Sequence, residues 1–101
     1  MSETWAALVD PTRRAVLDVL LEGEQPVGEI VDRLRLSQPQ ASKHLRVLRE
    51  AGLVRVRKDA QRRVYSLDPD PIADVDAWLS PYRRLWNDSL DRLEQHLEDQ
   101  P

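Results

Sequence analysis

No cysteine occurs in the 101-residue sequence, which removes disulfide bridges, thiolate metal sites and cysteine nucleophiles together. Histidine is almost as scarce, with only His44 and His96, and the three glycines form no phosphate-cradling loop. No recognisable catalytic set can be assembled from the remaining side chains, so an enzyme is not expected and no reaction is assigned. No apolar run approaches membrane-spanning length, and the N-terminus lacks a basic stretch followed by an apolar one. These absences predict a soluble cytoplasmic protein with no membrane partner and no cofactor.

What is present has the size of a single domain, 1–101, with 41% apolar and 33% charged residues. So short a chain buries a modest fraction of its surface, and dimerisation would be a natural source of extra core. The net charge of −3 argues against a nucleic-acid partner until it is resolved along the chain. Residues 1–32 carry two basic and seven acidic side chains, residues 33–63 ten and two, and residues 64–101 three and nine. A basic middle therefore lies between acidic ends. Phosphate attraction acts over about a Debye length, roughly 8 Å at physiological salt, so local sign matters more than the total. The plainer alternative is a chance cluster on a solvated face.

Ser2 is placed to cap a short helix over 3–8, with Trp5 and Leu8 apolar. Asp10 and Pro11 open a second helix, since aspartate suits the cap and proline in the first turn loses no needed donor. Ala15, Val16, Val19 and Leu20 form its buried stripe, and Gly23 ends it. A third helix is expected to start at Pro26 and run to about Leu34, followed by a tight turn at Arg35 and Leu36. Ser37 then caps a fourth, from Gln38 to about Ala51, with Ala41, Leu45 and Leu48 inward. The period next falls from 3.6 to 2. Valines and arginines alternate over 53–57, residues 58–61 read as a hairpin tip, and 62–67 as the return strand. After a break at 68–71, helical spacing continues to about Glu98, interrupted at Ser80 and Pro81.

Two short helices joined by a tight turn and followed by a charged hairpin are the order of a winged helix-turn-helix. The expected fold is mainly α, with five to six helices and a small β-hairpin wing. The helix-turn-helix falls at about 26–51 and the wing at about 53–67, with terminal helices at 2–8 and 71–98. A step of about 100° per residue turns Gln40, Lys43, Arg46 and Val47 away from the core, with Gln38, Ser42 and Arg49 on the flanks. Glutamine can bond a base edge in a bidentate way, and lysine and arginine can reach guanine or phosphate. The wing's Arg55, Arg57, Lys58, Arg62 and Arg63 are expected at the backbone or minor groove. Edge protection of a small hairpin is the alternative for any one of them.

The run LSQPQASKHLRVLREAGLV at residues 36–54 resembles the signature of the ArsR/SmtB family of prokaryotic repressors. DPTRR at 10–14 and RVYSL at 63–67 resemble the same family, so the likeness spans roughly residues 4–98. It implies a homodimer with one recognition helix per subunit in successive major grooves of an inverted-repeat operator. By that resemblance, double-stranded DNA is met by Gln38, Gln40, Ser42, Lys43 and His44, with Arg46 on the exposed helix face and Lys58, Arg62 and Arg63 in the wing. Two departures stand out. The sensing cysteine pair of arsenic-type members aligns with Pro26 and Gly28, which carry no ligating side chain. The paired-helix site of other members would have only His96, beside Asp88, Asp91 and Glu94, so no metal site is assigned. His44 reads as a DNA contact or a helix-packing residue.

Val75, Leu79, Tyr82, Trp86, Leu90, Leu93 and Leu97 recur at threes and fours, an apolar stripe in need of a partner. The dimer interface is accordingly expected at Trp5, Leu79, Tyr82, Trp86, Leu90 and Leu93. The aromatics could instead line a pocket for an unknown small-molecule effector, or serve as plain core. The sequence thus reads as a dimeric DNA-binding repressor that does not sense metal. The competing readings are a winged helix used for protein contact and a repressor answering a metal or small ligand through a non-standard site.

Overall fold

The helix starts follow from local chemistry. In a computed structural model, which describes residues 2–98, the Asp10 carboxylate accepts from the backbone N–H of Thr12 at 2.8 Å and of Arg13 at 3.1 Å. The bond from Arg13, reinforced by that from Thr12, holds the Asp10 carboxyl below its ordinary pKa of 3.8. This cap separates α1 (Ser2–Leu8) from α2 (Pro11–Leu20). The two arginines after the cap close the other side of the joint. Arg13 donates to the carbonyls of Ala7 at 2.8 Å and Ala6 at 2.9 Å, and Arg14 to those of Leu8 at 2.7 Å and Val9 at 3.2 Å. The DPTRR segment is therefore a two-sided clasp, capping one helix start with a carboxylate and one helix end with guanidinium groups.

α3 (Val27–Leu34) and α4 (Gln38–Glu50) form the helix-turn-helix. Their turn passes through Arg35 with φ 54, in the left-handed region, and the Leu36 N–H returns to the Val31 carbonyl at 3.1 Å. Ser37 and Gln40 then make a reciprocal capping box: the Ser37 hydroxyl accepts from the Gln40 N–H at 3.2 Å, and the Gln40 side-chain carbonyl accepts from the Ser37 N–H at 2.9 Å. At the far end Gly52, with φ +76, lets the Leu53 N–H reach the Leu48 carbonyl at 2.9 Å and turns the chain into the wing.

Pro26 does not begin the third helix. It lies in a short strand, β1 (Gln25–Pro26), whose residues pair with Tyr65 and Val64. With β2 (Val54–Asp59) and β3 (Arg62–Leu67) it makes an antiparallel sheet of order β1-β3-β2. Proline is at home there because β1 is an edge strand, where a missing N–H costs no central ladder bond. The hairpin tip is also shorter than expected: Asp59 pairs with Arg62, leaving only Ala60 and Gln61 in the turn. Ala60, with φ 56, takes the left-handed backbone that tight primed turns require.

Ile30, Leu45, Leu48, Leu53 and Val16 are the largest fully buried side chains, joined by Val19, Leu20, Val54 and Tyr65. Three helices and the sheet thus converge on the inner face of α4. α5 (Asp70–Glu98) departs from this body as one continuous helix, without the interruption expected at Ser80 and Pro81. Proline there removes one helical N–H and crowds the preceding turn. A side-chain strap spans the damaged turn: Arg83 pairs with the Asp76 carboxylate and also donates to the Asp76 carbonyl at 3.4 Å. At 1.5 Å per residue the helix is roughly 43 Å long, none of its residues is buried among those described, and the molecule measures 66 × 27 × 20 Å. Trp78 anchors it to α1 through an edge-on contact with Trp5, ring centres 5.4 Å apart, and packs against Tyr82 at 4.7 Å.

Candidate nucleic-acid interface

Burial along α4 divides its side chains. Ala41, Leu45 and Leu48 are buried, whereas Gln38, Ser42, Lys43, Arg46 and Arg49 are exposed. Val47 and His44 depart from the one-sided phasing: both are half-buried, and Val47 packs against the core. The reason is a second neighbour. α1 lies along the flank of α4, where Ala6 and Glu3 face Val47 and Ala51, widening the covered arc beyond the a priori stripe. His44 shares that flank. Its Nδ1 is shielded from solvent without a hydrogen-bond partner among the described residues. Gln40 is exposed, but its side-chain carbonyl accepts from the Ser37 N–H, which leaves its amide N–H groups as the part available to another partner.

Between α4 and the wing lies a cleft of about 600 Å³, lined from α4 by Gln38, Ser42, Lys43, Arg46 and Arg49 and from β3 by Arg63. Its lining holds four cations and no acid. Residues of the recognition helix and the wing that are far apart in sequence thus share one wall-to-wall site.

The remaining wing arginines are differently placed. Arg55 pairs with Asp68 at 3.0 Å, Arg62 with Asp59 at 3.1 Å, and Arg57 with Glu24 in the segment before β1. The hydrogen bond from Arg57 holds the Glu24 carboxyl below its usual range and pushes the guanidinium up. The Asp70 N–H, followed by Arg55, does the same for Asp68. Lys43, Arg46, Arg49, Lys58 and Arg63 take part in none of the ion pairs found among the described residues. The uniform basic wing of the sequence is therefore a mixture of internal struts and free cations. Only the folded register separates them, because Glu24 and Arg57 are thirty-three positions apart.

On α5, Trp78, Tyr82, Trp86, Leu90 and Leu93 are exposed and Leu79 is half-buried. Ile72 and Leu85 are exposed as well, two apolar positions that the spacing argument passed over because they sit beside the stripe. Trp5 meets Trp78 of its own chain. No group of three or more metal-ligating side chains stands together among the described residues, and no helix among them is long and apolar enough to cross a membrane.

Comparison with known proteins agrees with this architecture. The family model described as bacterial regulatory protein, arsR family, matches residues 10–56. The chain is 40% identical to the HTH-type transcriptional regulator Rv2034 of Mycobacterium tuberculosis, over 95% of this chain and 87% of that protein. It is 33% identical to the transcriptional repressor SdpR of Bacillus subtilis, over 78% and 88% respectively. Among solved structures, an ArsR family transcriptional regulator superposes with a TM-score of 0.75 at 34% identity, covering 85% of this chain and 89% of that one.

Proposed function

Since the chain belongs to the ArsR family of bacterial transcription regulators, DNA-binding proteins and not enzymes, we propose that it is a homodimeric repressor of an inverted-repeat operator. Each subunit lays its α4 into the major groove, with the two helices about one turn apart, near 34 Å, or a multiple of it. The observation that carries the reading is the acid-free cleft between α4 and the wing, the charge and shape that a duplex backbone requires. Gln38, Ser42 and Lys43, with the amide N–H groups of Gln40, face the bases, and Arg46, Lys58 and Arg63 face phosphates.

The exposed apolar side chains of α5 support pairing through that helix, because a monomer would leave Trp86 and Leu93 in water. A repressor fits a chain whose relative SdpR is named one. Metal sensing is not part of the proposal: Pro26, where the family resemblance places a sensing cysteine, is committed to β1. A regulator of the chromosome acts in the cytoplasm.

Lys43→Ala tests the reading directly. Operator affinity, measured by fluorescence anisotropy on a site selected from random duplexes, should drop roughly five- to a hundredfold, the equivalent of ~1–3 kcal/mol for a base contact. Binding should be the same with zinc and with chelator. Full affinity in the variant, or affinity of the parent protein indifferent to salt, contradicts the proposal and favours a winged helix that docks protein.

A further inference from the structure

We infer that Arg49 joins Arg63 in the phosphate grip of this protein, the two closing on one DNA strand from opposite walls of the cleft, while Arg55, Arg57 and Arg62 hold the wing in place and contribute little grip. This rests on the reading of the cleft as the DNA site and divides its arginines by role.

Position along α4 gives the first argument. With a rise of 1.5 Å per residue, Gln38 to Lys43 span roughly 8 Å, less than the ~12 Å width of the major groove. Arg49 lies roughly 16 Å beyond Gln38 along the helix, away from the N-terminal residues that meet base edges in this motif. The wing supplies the opposite wall. Arg63 pairs in register with Lys58 across the hairpin, and both join Arg49 around a smaller cavity, which Arg57 also lines but with its guanidinium held by Glu24. Arg49 from the helix and Arg63 from the wing each line both cavities, so these two side chains span the whole site.

Charge gives the second. A cation releases a counterion from DNA only to the extent that its charge is not already neutralised by the protein. Arg49 and Arg63 are in no ion pair among the described residues, whereas Arg55, Arg57 and Arg62 are held by Asp68, Glu24 and Asp59. For the paired three, reaching a phosphate means giving up a carboxylate first, and the exchange gains little. The Glu24 pair has a structural use: it ties β2 to the chain just before β1 and so sets the angle between wing and α3.

The test needs no operator, because the grip is independent of sequence. Binding of a random-sequence duplex of about three helical turns is followed by anisotropy as salt is raised, and the slope of log K against log salt is read for each variant. Arg49→Gln and Arg63→Gln should each make the slope shallower by about one. The double variant Glu24→Gln with Arg57→Gln should leave it unchanged, and Glu24→Gln alone, which frees Arg57, should steepen it. Thermal melts verify that each variant is folded. An unchanged slope for folded Arg49→Gln and Arg63→Gln, or a shallower one for the double variant, overturns the division of roles. A parent protein whose binding shows no salt slope at all overturns the DNA reading beneath it, a distinct result.

Discussion

Ser37 and Asp10 illustrate how a single side chain sets a helix boundary. Each accepts from N–H groups that the first helical turn leaves without partners. Ser37→Ala removes the cap of the recognition helix and one half of its reciprocal box, and should lower stability by ~1 kcal/mol in a denaturant titration. The Gln40 side-chain carbonyl keeps its bond from the backbone N–H at position 37, so stability should fall while the outer face of the helix stays as it is. Acid sensitivity belongs to this scale too. Asp10, Glu24 and Asp68 are all held below their ordinary values by hydrogen bonds from the folded chain. A carboxylate whose folded pKa is depressed contributes stability above its unfolded pKa, and that contribution is lost as pH falls through the folded value. The melting temperature should therefore decline as pH drops below about 4. In Asp10→Asn the decline should be smaller, because one of the titrating groups is gone.

Among the elements, α4 is where buried and exposed functions are most tightly combined. Leu45 and Leu48 are fully enclosed, so Leu45→Ala or Leu48→Ala should cost about 2–5 kcal/mol by transfer and cavity terms in chemical denaturation, and weaken DNA binding through loss of fold. Most of this was legible in the sequence. Caps at Asp10 and Ser37, the stripe Ala41-Leu45-Leu48 and the change of period after Gly52 are local signals, and local rules read them. What escaped depends on neighbours distant in the chain. β1 is only two residues long and exists because β3 offers it a partner, so no periodicity could announce it. Val47 and His44 turned inward because α1 covers a flank that α4 does not itself mark. Pro81 reads as a break by intrinsic preference, yet the turns on either side and the Arg83 strap carry the helix through. Pro81→Ala should accordingly raise the melting temperature of the assembled protein, since it restores a hydrogen bond to a helix already formed.

At the scale of the whole molecule, the wing and α4 form one end and α5 reaches away from the body. Pairing through α5 would bury its apolar side chains, and Trp86→Asp would place a charge in that contact; sedimentation should then report a monomer at concentrations where the parent protein is a dimer. The candidate site was legible only in outline at this scale. The basic segment 33–63 marked the stretch that supplies most of the cleft's lining, but its net charge concealed which arginines were spent on Glu24, Asp59 and Asp68.

α5 carries seven carboxylates against three arginines. Two such helices brought together repel one another across their flanks, while the opposite end of each subunit attracts a polyanion. Added salt relieves the first interaction and weakens the second. The two associations therefore answer ionic strength in opposite directions: the subunit equilibrium should shift toward dimer as salt rises, in the same range where duplex affinity falls. On the proposed pairing through α5, a cell that concentrates its ions would leave the dimer together while detaching it from DNA, a response that needs no dedicated ligand.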